Sequence, residues 1–354
     1  MNLARTPIAL STGLLILLLS ILVSKNSTFF LKAFFGKKDY PLKTQWASHK
    51  PLNNDRCWIN TGTAGQACED VKIHGSSSTA FLACGYPLDR LQFYPSAGRH
   101  NFSVEHKHLE YFIKYEIETN TTTRLDIEGW SGDEDLVLHG LDIWQPAGDA
   151  SQFSHSLIKT PNEVAAAGER SFFVSNDHYY YGGKLRDLED AYGPFNWASN
   201  VVYCEEKKSG TDCRVVTPKK SHPWANGLAL VDEGRSLLVN DIVDGTTTIY
   251  DVDPVTKKLK HRETIFIGAT PDNISEEPAS TGARMFGNDP VNYETLVEAA
   301  VIRLVKSKNY ELELLYWDDG SLISILTGAA YDPRHNKLIA SGIWERHFIV
   351  CDVK

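Results

Sequence analysis

Four short stretches of this chain carry oxygen donors in a form suited to holding a hard cation. The densest is Val174-Ser175-Asn176-Asp177-His178-Tyr179, where the apolar run Phe172-Phe173-Val174 leads straight into an adjacent amide and carboxylate. Successive side chains of a strand point to opposite faces, so those two oxygen donors can serve two different ions. Cys68-Glu69-Asp70 is an acidic pair ahead of the alternating Val71-Lys72-Ile73. Trp224-Ala225-Asn226-Gly227 puts Asn-Gly at the head of an apolar run, and Pro271-Asp272-Asn273-Ile274 is a further pair of oxygen donors. Calcium takes about six to eight oxygens in irregular geometry, which such a set can supply. No His/Cys cluster at zinc spacing competes with it. Singly, each pair also reads as a turn, because Asn and Asp tolerate left-handed backbone and bond their own main chain. The cation reading therefore rests on the set.

The elements that position these residues read as short strands. Val71-Lys72-Ile73 and Thr79 to Cys84 flank a Gly/Ser turn, and Phe112 to Ile117 alternates strictly. Ser236 to Val239 pairs plausibly with Thr248 to Val252, and Lys337 to Ala340 with His347 to Val350. Period-2 runs separated by turns predict an antiparallel all-β architecture. Glu298 to Lys306 and Lys184 to Glu189 are expected as short helices. The 25 glycines and 15 prolines suit many tight turns.

A formal net charge of −9 and the lack of a basic tract argue against a nucleic-acid partner and leave room for bound cations. Ile8 to Val23 is an apolar run between Arg5 and Lys25, read as a signal peptide or an uncleaved signal anchor within 1–28. A stalk or entry segment (29–56) follows, and then the domain 57–354. Membrane attachment would come from the apolar run. The expected place is the secretory pathway, anchored with a lumenal or extracellular domain, or secreted. Six cysteines in such a chain suggest disulfides. Cys204 and Cys213 flank a turn and read as a hairpin staple, and Cys68 and Cys84 could pair likewise; free buried thiols are the alternative for both pairs. Sequons stand at Asn26, Asn101, Asn120 and Asn273, with Asn101 and Asn120 the candidates for glycan and Asn273 expected bare.

Glu69-Asp70, His139-Gly140-Leu141, Asn176-Asp177-His178-Tyr179, Ala225-Asn226-Gly227 and Asp272-Asn273-Ile274-Ser275 occur in the order seen in the serum paraoxonase/arylesterase family, which the chain resembles from about Cys57 to Cys351. The resemblance implies a six-bladed β-propeller closed by a Cys57–Cys351 disulfide, and a hydrolase of aryl esters or lactones. It implies two calcium ions. The catalytic ion would be held by Glu69, Asn176, Asn226, Asp272 and Asn273, the structural one by Asp70, Asp177 and the Leu141 carbonyl. A metal-polarised carbonyl would be attacked by water, with His139 as proton acceptor and His178 orienting Asp177. Most of the motifs stand about 40 to 50 residues apart, the size of a four-stranded blade, so inner strands would bring them to one axis.

The sequence departs from the family in two places. Between His139 and Asn176 the interval is too short for the family's extra strand pair with its partner histidine, and Glu276 to Pro290 lacks the family's Trp- and His-Pro-bearing strand. Two other readings stay open: a calcium-stabilised propeller that has lost catalysis and serves as a binding or membrane-tethered module, and a propeller of the strictosidine-synthase type. The acidic ligand set argues against the latter.

Overall fold

The computed structural model describes residues 51–353 apart from 61–64, 102, 104–108, 129, 131, 133–134, 145–154, 193–196, 276–277, 282–290 and 295. The apolar run from Ile8 to Val23, most of the expected stalk and Asn26 lie outside these residues. None of the described helices is long and apolar enough to cross a membrane.

From Cys57 the chain runs through β1 (Cys57–Asn60), β2 (Asp70–His74) and β3 (Thr79–Cys84), then α1 (Pro87–Gln92) and the ribbon β4 (Phe93–Tyr94) and β5 (Arg99–His100). β6 (Tyr111–Glu116) and β7 (Thr121–Arg124) complete a sheet of order β2-β3-β6-β7. The second sheet is built from β8 (Pro161–Gly168), β9 (Ser171–Asn176), β10 (Asn200–Lys207) and β11 (Gly210–Val215), with α2 (Lys184–Tyr192) between its middle strands. Next come β12 (Ala225–Val231), β13 (Ser236–Asp241), β14 (Thr246–Val252) and β15 (Leu259–Phe266), and then β16 (Pro271–Ile274), β17 (Pro278–Thr281), β18 (Ala299–Val305) and β19 (Glu311–Asp318). The last sheet joins β20 (Leu326–Asp332), β21 (Lys337–Gly342) and β22 (Phe348–Asp352) to β1, which pairs antiparallel with β22.

Each four-stranded sheet presents its first strand inward. β8 packs on β12, β12 on β16, β16 on β20 and β20 on β2. The apolar cores lie between neighbouring sheets: Val71, Leu82 and Ile113 pack with Ile339, Phe348 and Val350, and Phe173 and Tyr203 pack with Leu228, Val239 and Tyr250. Alternation places every second side chain in such a layer, as β6 shows with buried and half-buried residues in strict turn. The outer strand β15, Leu-Lys-His-Arg-Glu-Thr-Ile-Phe, meets solvent with charges that discourage further pairing.

The described residues form five four-stranded sheets of the six blades expected, and one other expectation is corrected. In the remaining sector, between β2 and β8, an extended segment around 136–143 stands by itself. Leu136 bridges Leu109, the Gly140 N–H donates to the Asn162 carbonyl, and Leu138, Leu141 and Ile143 pack with Ala83 and Phe112. Glu298 to Lys306, expected as a helix, is largely the strand β18. Its Ala-Ala-Val-Ile-Arg-Leu-Val run is rich in β-branched residues and pairs on both edges, so the ladder overrides local preference.

All six cysteines are paired, as Cys57–Cys351, Cys68–Cys84 and Cys204–Cys213. Cys57 and Cys351 are directly opposed in the β1–β22 register, and Cys204 and Cys213 in β10–β11. Such a disulfide set belongs to an oxidising compartment, on the secretory route or outside the cell.

Candidate functional site

Four of the five inner strands share an irregularity at the same end, while β2 pairs with β3 in unbroken register. The pairing register shifts at Pro161/Val164 in β8, Ala225/Leu228 in β12, Pro271/Ile274 in β16 and Leu326/Gly328 in β20. A bulge places two residues against one on the partner strand and re-aims their side chains. The bulged residues are Asn162-Glu163, Asn226-Gly227, Asp272-Asn273 and Thr327. Gly227 permits the closest approach, because a Cβ there would stand 2.3 Å from the Asp272 carbonyl oxygen.

A cavity of about 10 Å3, room for a single water-sized sphere, results. It is lined by Glu69, His139, Asn162, Asp177, Asn226 and Asp272, with Trp224 and Thr327 on its wall. The Asn273 Nδ2 donates to Glu69 Oε1 at 2.9 Å, and the Thr327 hydroxyl donates to the Glu69 carbonyl at 2.7 Å. Asn240 Nδ2 holds the Asp272 carbonyl at 2.5 Å. Glu69 Oε2, Asn162 Oδ1, Asn226 Oδ1 and Asp272 Oδ2 are buried and accept no hydrogen bond among the described residues.

The electrostatics of this cavity follow from crowding. Burial first, and then the Asp70 and Asp272 carboxylates, hold the Glu69 carboxyl well above the usual range. Burial and the Asp70 carboxylate push Asp272 up to about 8. Carboxyl groups have been gathered where water cannot screen them; the Trp224 indole N–H on the same wall is likewise buried without a partner among the described residues, and the four acceptor atoms above are hard oxygens. That is the donor chemistry of a calcium site, and Glu69, Asn226 and Asp272 fit such an ion.

His139 borders the cavity, 3.7 Å from Glu69 Oε1. Asn162 Nδ2 lies 2.8 Å from its Nε2, and the Tyr94 hydroxyl lies 2.5 Å from its Nδ1 and 2.9 Å from the Leu138 carbonyl. The network assigns the ring: Asn162 donates to Nε2, Nδ1–H donates to Tyr94, and Tyr94 donates to Leu138. Burial pushes His139 down to about 3, so it is neutral. Tyr94 is anchored in turn by Arg90 over its ring, and Arg90 is fully buried against Glu110.

Asn176 stands apart from this lining. Its Oδ1 accepts the N–H groups of Lys159 and Thr160, and its Nδ2 donates to the Leu157 carbonyl and Asn200 Oδ1, so the side chain pins the 157–160 turn. Its neighbour Asp177 faces the cavity, with His178 Nδ1 3.1 Å from its Oδ1 and the His178 ring against Trp224.

Asp70 lies one layer deeper. Its Oδ1 accepts from the Val71 N–H at 2.8 Å and Lys72 Nζ at 3.2 Å; its Oδ2 lies 2.9 Å from Lys72 Nζ and 3.0 Å from the Leu141 N–H. Leu141, whose carbonyl was expected toward an ion, meets Asp70 through its N–H. Three donors, the Val71 and Leu141 N–H groups and the Lys72 ammonium, thus hold this carboxylate, with the ammonium shared between its two oxygens.

Sequence reasoning missed Tyr94, Asn162 and Lys72. Lys72 had a readable signal, since two residues after Asp70 a strand returns to the same face. Tyr94, at the end of the two-residue β4, had none. Of the sequons, Asn101 and Asn120 are exposed and Asn273 is buried.

Residues 149–349 match the family model for Arylesterase. Serum paraoxonase/arylesterase 2 of Gallus gallus is 27% identical over 202 residues, 54% of this chain and 53% of that protein. Serum paraoxonase/arylesterase 1 of Rattus norvegicus is 26% identical over 209 residues, 56% of this chain and 55% of that protein. The chain thus spans about half the length of the curated relatives it matches. A luciferin-regenerating enzyme aligns over 86% of this chain and 97% of its own at 11% identity, but a TM-score of 0.47 carries no argument. The matched stretch takes in Asp177, Asn226 and Asp272, while Glu69 and His139 precede it. With more than half of its length matching that model, the chain belongs to the arylesterase family.

Proposed function

We propose that the chain is a calcium-dependent hydrolase of aryl esters or lactones, with its reaction at the cavity between Glu69, Asn226, Asp272 and His139. One observation carries the reading: buried oxygens of these first three residues, supplied by three different sheets, converge on one small cavity and accept no hydrogen bond among the described residues. When bound there, calcium would polarise the substrate carbonyl and stabilise the oxyanion that forms on attack by water. Glu69, Asn226 and Asp272 would hold it, with Asn273 steadying Glu69.

The remaining work falls to residues of the chain. His139, kept neutral by burial, is able to accept a hydrogen bond from the attacking water in exchange for that of Asn162. Tyr94 fixes the ring so that Nε2, not Nδ1, is the accepting atom. Asp177 adds negative charge at the wall and is oriented by His178. The apolar run from Ile8 to Val23 would direct the chain to the secretory route, with Asn101 and Asn120 open to glycan.

Phenyl acetate and lactone hydrolysis, measured in calcium and then in chelator, tests this. Activity should need calcium, and Glu69→Gln should lower kcat/KM at least about 100-fold, the scale of losing a transition-state charge contact. Unchanged turnover in chelator would refute the reading. A second reading, a calcium-stabilised propeller without catalysis, is favoured by the engagement of both His139 ring nitrogens. It expects a calcium-raised melting temperature with no turnover.

A further inference from the structure

We infer that the Lys72 ammonium takes the place of a second calcium ion below the first, so that this chain binds one ion and is tied together at the deeper level by a charge of its own. The inference rests on the proposed reading of Glu69, Asn226 and Asp272 as ligands of the first ion.

Lys72 is buried, and its Nζ reaches three inner strands. It lies 2.9 Å from Asp70 Oδ2 on β2, 3.5 Å from Glu163 Oε2 on β8, and donates to the Ile274 carbonyl of β16 at 2.9 Å. These oxygens come from separate sheets around the axis, as the ligands of a bridging cation would. The ammonium donates to Asp70 and to the Ile274 carbonyl, while Glu163 Oε2 stands at ion-pair distance. Asp70 is engaged on both oxygens, because the Val71 N–H also binds Oδ1 and the Leu141 N–H also binds Oδ2. A divalent ion touching Asp70 would have to expel Lys72 or stand against its positive charge. A lysine also differs from an ion in kind: it is covalently attached and cannot be chelated.

Calcium bound to the expressed full chain, counted by equilibrium dialysis against calcium chloride, is expected to plateau at one ion per chain. Two ions would overturn this inference and leave the catalytic reading standing; none would overturn the catalytic reading and the single-ion count with it. The second measurement does not depend on that count. In chelator, Lys72→Met should melt about 5–10 °C below the parent, because Asp70 and Glu163 lose their counter-charge, and Lys72→Arg should recover at least half of the loss. Equal melting temperatures for Lys72→Met and the parent would overturn the inference. Should Lys72→Met fail to fold, the ion count and a Lys72→Arg that keeps most of the parent's melting temperature in chelator decide; an Arg variant melting far lower would overturn it.

Discussion

At the scale of single residues, the hydrogen-bond chain Asn162–His139–Tyr94–Leu138 decides what His139 can do. Each ring nitrogen has one partner, and the tautomer leaves Nε2 as the acceptor on the cavity side. Tyr94→Phe removes the acceptor for Nδ1–H and frees the ring to turn or change tautomer. The expected outcome in saturating calcium is a kcat for phenyl acetate lowered about 10- to 100-fold with KM little changed, the range seen when a partner that orients a site group is lost. The fold should lose only about 1–3 kcal/mol, which urea titration measures. Of the hydroxyl's two hydrogen bonds, only that of His139 leaves a group unpaired, because the Leu138 carbonyl keeps Arg90 as a donor. An unchanged kcat would remove His139 from the reaction. His139 itself was legible by its Gly140-Leu141 neighbours, whereas Tyr94 meets it only through the tertiary fold. Asn176 shows the opposite failure: its type and place suited a ligand, yet four local partners in the turn before β8 and on β10 claim the side chain.

At the scale of elements, the site depends on how closely inner strands approach at their bulged ends. Gly227 on β12 abuts the Asp272 carbonyl and the Asn273 Cα of β16. Gly227→Ala should push β16 outward, cost about 1–3 kcal/mol by overpacking, and weaken calcium binding because Asp272 and Asn226 move apart. Urea unfolding and a calcium titration of the variant check both effects; native-like affinity would mean the two strands need no such contact. Much at this scale was readable. The alternation of Phe112 to Ile117 gave β6, and the turn between Val71-Lys72-Ile73 and Thr79 gave the β2–β3 hairpin. The bulges were not readable, because they arise from pairing between strands and leave no local mark beyond Asn-Gly and Asp-Asn. Nor was the helix expected from Glu298 a misreading of pattern alone, since a short apolar run suits either state until a partner strand arrives.

At the scale of the whole molecule, the ring gathers carboxylates before it has a cation to neutralise them, and its stability is therefore coupled to calcium and pH together. Glu69 and Asp272 are raised in the fold, Asp272 to about 8. A raised carboxyl contributes stability that is fully present below its unfolded pKa, near 4, and is lost as pH rises through the folded value. His139 and His222 are lowered to about 3 and about 4, chiefly by burial, so their contribution is present above about 6.5 and is lost only on acidification. From about pH 6.5 to 8 the histidines are therefore silent and the carboxylates act alone. In chelator, the free energy of unfolding should fall across that window by roughly 2 kcal/mol for Asp272, with a further loss from Glu69. In calcium Glu69 and Asp272 remain ionised and paired, so their share of the fall should vanish, while that of Glu163, raised chiefly by burial and no ligand of the ion, should remain. Calorimetry at pH 6.5 and 8, with and without calcium, reads the difference directly, and Asp272→Asn should flatten the chelator series. Parallel behaviour with and without the ion would mean that these carboxylates do not share one cation, and the ring would then need another reason to keep them together.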